Sequence, residues 1–305
     1  MAPENLAGRT VAGYRLLERV GEGGTATVYR AHHDTHGACA VKTLRERLRN
    51  DPTAVKRFLR EAGYGSRVRH PNVVRTYDYG DTDGLYYLAL EWADGEPLAE
   101  YISRRGRLAP AEVGAIVGQL AGALAAAHAV GIIHRDLKPE NIVYNPTTGT
   151  AKLLDFGIAR DAQEDPAERL TRTGFFVGTL QYVAPEALSG ELVGEPADIY
   201  SLATITYYLL TGKHPYGGGS PRELFQQLLT EPPRSLNEAV KGIRFPRTLE
   251  DAVMKGLARD PAKRQPSVEA FAADVVRATQ HLASDSPKKG LLGTLGAIIR
   301  GRNQA

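Results

Sequence analysis

The chain has 305 residues, 42% of them apolar and 24% charged, with a formal net charge of +3. That size can bury one large core or two smaller ones, and the composition is globular, neither disordered nor membrane-embedded. Charge is near balance and the basic residues are scattered, which argues against nucleic acid as a partner. The single cysteine, Cys39, excludes an internal disulfide. No run reaches the roughly 18 apolar residues of a membrane span. Residues 1–10 lack the charged-then-apolar order of a secretory signal, so a cytoplasmic protein is the expectation.

In chain order, residues 14–20, 26–31 and 38–44 read as strands, the first two joined by a glycine-rich turn. A helix follows: Asp51 can cap it, Pro52 suits its first position, and Val55, Phe58, Leu59 and Ala62 recur at helical spacing. Gly63 and Gly65 each cost about 1 kcal/mol against Ala in a helix interior. The helix is therefore expected to end at Ala62 or to fray beyond it. Residues 73–79 and 86–91 read as two more strands. The text changes character at residues 92–97, which are short, polar and Gly/Pro-bearing, and helices dominate afterwards. Residues 111–128 carry Val113, Ile116, Val117, Leu120 and Leu124, and residues 198–210 are nearly all apolar. A strand-rich first third and a helix-rich remainder predict two lobes with a cleft between them, the usual place for a small-molecule site.

Three segments carry chemistry. The turn Val20-Gly21-Glu22-Gly23-Gly24-Thr25-Ala26-Thr27-Val28 lets backbone amides approach phosphate oxygens without a Cβ in the way; it is equally compatible with a plain hairpin. In Ala38-Cys39-Ala40-Val41-Lys42, alternation puts Ala40 and Lys42 on one face and Cys39 and Val41 on the other. A small residue beside a lysine suits a flat base and a phosphate, though a lone lysine is more often solvated. Glu61 shares a helix side with Phe58 and can reach Lys42, or remain a solvated carboxylate. The third segment is His134-Arg135-Asp136-Leu137-Lys138-Pro139-Glu140-Asn141, followed by Leu154-Asp155-Phe156-Gly157.

With these segments in this order, the chain resembles the eukaryotic-like serine/threonine protein kinases, especially the bacterial ones, over residues 10–280 or so. The resemblance implies an α+β, bilobal protein-kinase fold: a small β-rich lobe over residues 14–91, a hinge at 92–97 and a larger helical lobe over 98–280. Residues 1–13 would be a lead and 281–305 a basic and apolar tail. It implies transfer of the γ-phosphate of ATP to Ser/Thr of protein substrates, with Mg²⁺ as the metal and Mn²⁺ able to substitute. Residues 20–28 would enclose the nucleotide, with Gly21 and Gly23 over the phosphates. Val20, Val28 and Ala40 would form the apolar roof over adenine and Val143 its floor. Leu90 would guard the back of the pocket, and Glu91 to Ala93 would supply the backbone hinge. Lys42 would hold the α- and β-phosphates, positioned by Glu61. Asp136 would accept or orient the substrate hydroxyl, Lys138 would sit near the transferred phosphate, and Asn141 and Asp155 would ligate the metal. Such a division suits a reaction that needs positioning and charge neutralisation more than covalent help. One departure is Ala26, where the family has its third glycine; a modest effect on nucleotide affinity is expected.

The family resemblance also implies that Gly178-Thr179 and Ala184-Pro185-Glu186 close an activation segment that begins at Asp155. Thr179 with Lys138 matches the Ser/Thr-specific pattern. Glu186 would pair with Arg264, and Asp198 would bond the backbone of the catalytic loop, as structural features. Arg135 before the catalytic aspartate goes with control by phosphorylation, for which Thr171 and Thr173 are the candidates and Arg135 with Arg160 the anion cluster. The alternative is that these threonines are ordinary loop residues. With Gly63 and Gly65 weakening its helix, the Lys42–Glu61 pair is expected to form only part of the time. A homodimer for trans-autophosphorylation is a further expectation. In the tail, apolar residues 291–299 between Lys288, Lys289, Arg300 and Arg302 could rest weakly on a membrane surface or remain loosely ordered. A non-catalytic pseudokinase would lack Lys42, Asp136, Asn141 or Asp155; all four are present. Antibiotic-type phosphotransferases lack the segment from Asp155 to Glu186.

Overall fold

The computed structural model describes residues 4–155, 180–188 and 193–284, with side chains described as far as residue 280. Six antiparallel strands form the first lobe: β1 (Thr10–Val11), β2 (Tyr14–Glu22), β3 (Ala26–His33), β4 (Gly37–Leu44), β5 (Thr76–Thr82) and β6 (Leu85–Glu91), in the spatial order β1-β2-β3-β4-β6-β5. Alternation along β4 divides its residues as the sequence pattern predicts. Cys39 and Val41 are buried among Leu16, Tyr29, Tyr87 and Ala89 on one face. On the other, Ala40 packs against a smaller cluster of Phe58, Ala62, Leu88 and Leu90. The lead is part of this lobe: Leu6 is buried, its amide donates to Tyr29 Oη at 3.2 Å, and β1 pairs with β2.

Helix α1 (Pro52–Gly65) starts where expected, with the Asp51 carboxylate accepting from the amides of Thr53 and Ala54. Its far end corrects the sequence reading. The helix continues through Gly63 and Gly65 and closes at Ser66. A Cβ on Gly65 would lie 3.2 Å from Thr76 Oγ1, and one on Gly63 would lie 3.4 Å from Tyr79 Oη. Here the glycines let the helix approach β5, and packing offsets their low propensity. Strand β5 begins at Thr76, later than expected. Val73 and Val74 are both buried, and the Val74 amide donates to the Leu153 carbonyl at 2.9 Å. That stretch belongs to the seam between the lobes, not to the ladder.

Beyond the hinge, a three-stranded sheet of β7 (Glu96–Pro97), β8 (Ile142–Asn145) and β9 (Thr150–Leu153) lies beside helices α2 (Leu98–Arg105) and α3 (Pro110–His128). The second lobe continues through α4 (Pro185–Leu188), α5 (Glu195–Thr211), α6 (Pro221–Thr230), α7 (Leu236–Ala239), α8 (Arg247–Gly256) and α9 (Val268–Ser284). Among the described residues one helix, α3, is long and apolar enough to cross a membrane. It is the core helix of this lobe: Val113, Ile116, Val117, Leu120 and Leu124 are all buried, and α5 and α9 pack against it. Almost every side chain of α5 is buried as well.

Candidate active site

The cleft between the lobes gathers the charged residues that the motifs single out. Lys42 Nζ, on β4, donates to Glu61 Oε1 on α1 at 2.9 Å and to Asp155 Oδ2 at 3.0 Å. The Lys42–Glu61 pair is formed in this structure, and α1 runs on past Glu61 to Gly65. Burial works against the ammonium, but the carboxylates of Asp155 and Glu61 hold its pKa above the ordinary value. Burial pushes Glu61 up, with Lys42 opposing that shift. We take Lys42 as charged, because two carboxylates flank it.

The segment after His134 supplies the other half. Asp136 Oδ2 lies 2.9 Å from Lys138 Nζ, and Asn141 Nδ2 donates to the Asp136 carbonyl at 2.9 Å and to its Oδ2 at 3.2 Å. This use of the Asn141 amide nitrogen turns its carbonyl oxygen away from Asp136. The Leu154 amide donates to the Asn141 carbonyl at 2.9 Å, which places Asp155 beside the same loop. Behind it, His134 is fully buried and burial pulls its pKa down, so the ring is neutral at neutral pH. An amide oxygen and a carboxylate are the hard donors that Mg²⁺ takes, and one or two protein ligands suffice for it. Asn141 and Asp155 therefore fit such an ion. Among the described residues no group of three or more His, Cys, Asp or Glu is placed to hold a metal.

Of the apolar residues assigned to a base-binding pocket, Val28, Ala40 and Leu90 lie with Lys42 on the paired strands β3, β4 and β6 of the first lobe. Ala40 pairs with Leu90 across β4 and β6, and Val28 stands opposite Lys42 across β3 and β4. Ala40, Leu90, Ala93 and Leu154 belong to one cluster. Val28 and Val143 are half-buried, whereas Val20 is 46% exposed and contributes little enclosure as the molecule stands. Gly21 pairs with Val28 and Glu22 with Thr27. The turn tip is tied outward: Arg45 Nη1 donates to the Gly23 carbonyl and Arg47 Nη2 to that of Gly24, at 3.2 and 2.7 Å, while Arg45 N donates to the Thr25 carbonyl at 3.0 Å. Ala26 is buried at the start of β3, and its carbonyl accepts from the Gly23 amide at 2.8 Å; no left-handed backbone is needed there.

Some supporting residues escape motif reading. Glu91 accepts from Lys152 of β9 and, at 3.2 Å, from the Arg75 amide, tying the hinge to both lobes. Gly95 has φ +133°, and a Cβ there would lie 2.4 Å from the Tyr144 carbonyl oxygen. The Asp94-Gly95 dipeptide was the available signal for that turn. The expected Glu186–Arg264 pair is present, with contacts of 2.6 and 2.8 Å. Asp198 accepts from the amides of His134 and Arg135. Thr171, Thr173, Arg160 and Thr179, together with residues 285–305, lie outside the described residues.

A β-rich lobe joined to a helical one, with a lysine–glutamate pair and an Asp-Lys-Asn loop meeting at Asp155, is the arrangement of the protein-kinase class. The comparisons give the family. A protein kinase domain family model matches residues 14–276. The chain is 37% identical over 279 residues to serine/threonine-protein kinase pkn3 of Myxococcus xanthus, covering 89% of this chain and 51% of that one. It is 39% identical over 288 residues to serine/threonine-protein kinase PknD of Mycobacterium tuberculosis, covering 92% and 42%. The crystal structure of the Mycobacterium tuberculosis PknI kinase domain superposes with a TM-score of 0.68 at 29% identity, over 89% of this chain and 98% of that one. The chain belongs to the protein kinase family, in its bacterial eukaryotic-like serine/threonine branch. It spans about half the length, or less, of these curated relatives.

Proposed function

We propose that the chain transfers the γ-phosphoryl group of ATP to serine and threonine hydroxyls of protein substrates. The observation that carries this reading is that Asp155 bonds Lys42, itself paired with Glu61, while the adjacent Leu154 amide bonds the loop in which Asp136, Lys138 and Asn141 contact one another. Residues 20–28, Ala40, Leu90, Glu91, Ala93 and Val143 would bind the nucleotide. Lys42, held by Glu61, would neutralise the α- and β-phosphates. Asp136 would orient the acceptor hydroxyl and take its proton as the O–P bond forms. Lys138, an ammonium beside that carboxylate, would offset charge on the transferring group. Asn141 and Asp155 would hold Mg²⁺, with Mn²⁺ as a substitute of the same oxygen preference, and the ion would supply further charge neutralisation.

Activation by autophosphorylation at Thr171 or Thr173 is part of the proposal, supported by Arg135 beside the catalytic aspartate. So is a transient homodimer through which one copy phosphorylates another. The domain would work in the cytoplasm, where ATP is supplied, without nucleic acid and with at most a weak membrane contact by residues 281–305. The test compares wild type with Asp136→Asn on a Ser/Thr-containing acceptor protein. Phosphoserine or phosphothreonine in the acceptor, reduced at least 100-fold or so in the variant, is expected. Equal incorporation by the two would overturn the assignment of Asp136.

A further inference from the structure

Asp198 is fully buried in the first turn of α5 and bonds the segment that leads into Asp136. Its Oδ1 accepts from the Arg135 amide at 3.0 Å and its Oδ2 from the His134 amide at 2.9 Å. Arg135 has φ 62°, a left-handed backbone that a non-glycine residue adopts only under constraint. The Asp136 amide donates to the His134 carbonyl at 2.8 Å, closing a tight turn around Arg135, and the two Asp198 bonds anchor that turn. A buried carboxylate left alone is costly, so it calls for a counter-charge. Among the described residues, the side chain able to carry positive charge within 4 Å of it is His128, at the end of α3 and only 7% exposed. Nε2 of His128 lies 2.8 Å from Asp198 Oδ2. The other ring nitrogen, Nδ1, faces Glu195 Oε2 at 3.7 Å. A ring between two carboxylates is best satisfied with a proton on each nitrogen.

Resting on the kinase reading above, we propose that His128, as an imidazolium, is a positioning residue. It carries the counter-charge of Asp198, so that the constrained Arg135 peptide, and Asp136 after it, stay in place for phosphoryl transfer. The groups around the ring are Asp198 and Glu195 from α5, Glu269 from α9 and neutral His134, which shares Asp198. Arg67 donates to the Val130 carbonyl at 2.8 Å, just past the helix end. Burial opposes the charge, but the three carboxylates raise the ring's pKa above the ordinary 6.5. Because the folded value is raised, the contribution is complete below the unfolded pKa. It is lost as pH climbs through the folded one.

His128→Gln keeps a donor of similar size without the charge. At pH 6 or so it should lower kcat about 10-fold with the KM for ATP unchanged, the mark of a displaced catalytic group. The ratio of wild-type to variant kcat should then shrink as pH rises. Glu195→Gln should move the wild-type alkaline decline to lower pH and leave kcat in acid unchanged. Ring nitrogen shifts of His128, assigned through Glu195→Gln, read the charge without any need for turnover. A protonated ring at neutral pH with a pH-dependent ratio supports the proposal. A neutral ring, or a ratio independent of pH, overturns it. Should His128→Gln fail to fold, the ring titration and the Glu195→Gln shift decide. A wild type that never turns over counts against the kinase reading instead, and the ring titration still decides the state of the pair.

Discussion

Arg264 offers a quantitative test of what holds the helical lobe together. Its side chain is completely buried, and its five N–H groups meet five acceptors. Nε donates to Ala258 O at 2.8 Å, Nη1 to Glu186 Oε1 at 2.6 Å and to Pro196 O at 2.8 Å. Nη2 donates to Glu186 Oε2 at 2.8 Å and to Arg259 O at 3.2 Å. The guanidinium also lies 5.0 Å from the Tyr200 ring centroid. Arg264→Lys keeps the charge but brings three donors on a point-like head, so two acceptors go unmet and the fork on Glu186 is lost. At about 1–3 kcal/mol for each unmet buried acceptor, the substitution should cost roughly 3 kcal/mol. Urea unfolding reads this as a lower midpoint at constant slope. Thermal melting should fall by roughly 6–12 °C for a domain of this size. Arg264→Met, which removes the guanidinium from the buried Glu186 carboxylate, should cost more, about 3–5 kcal/mol. A change below about 0.5 kcal/mol for Arg264→Lys would refute the reasoning, since it would class this pair with exposed ones.

Three other outcomes are expected. Leu6→Ala should destabilise the strand-rich lobe by about 3 kcal/mol in urea unfolding, because Leu6 is part of its core; a loss under about 1 kcal/mol would contradict that placement. Gly65→Ala should miss the gain of about 1 kcal/mol that helix propensity allows, because its Cβ meets Thr76 Oγ1; the double variant with Thr76→Ala should recover it, and recovery without Thr76→Ala would remove the packing explanation. His214 stacks on Tyr208 at 4.6 Å between ring centroids, and burial pulls its pKa down to about 4. Its folded value being depressed, the native state disfavours the proton, and stability falls as pH drops from 6.5 toward 4, by at most about 1.4 kcal/mol per unit. His214→Phe should flatten that acid slope, and parallel stability profiles would count against the buried neutral ring.

Much of the site was legible because its chemistry is written in contiguous residues. Lys42, Asp136, Lys138, Asn141 and Asp155 each sit in a short string whose order predicts the cleft. Alternation on β4 separated Ala40 and Lys42 from Cys39 and Val41, and the structure buries the latter two in the lobe's core. What escaped were contacts between segments far apart in sequence. Gly63 and Gly65 read as helix breakers because propensity is local, whereas Thr76 and Tyr79, which make small residues useful there, are more than ten positions away. Residues 73–75 have β-forming character, yet Val74 bonds Leu153 across the lobes, and two consecutive buried valines do not alternate. The lead was set apart from the strand-rich lobe, yet Leu6 and Val11 are buried in that lobe's core. Glu91 was read as hinge backbone, with no local sign that its side chain meets Lys152.

The most direct test of the account is phosphosite mapping by mass spectrometry after incubating wild type and Asp155→Asn with Mg-ATP. The account predicts phosphate on Thr171 or Thr173 in the wild type and none in the variant. Unmodified wild type that still binds nucleotide, or equal modification of the variant, would contradict it.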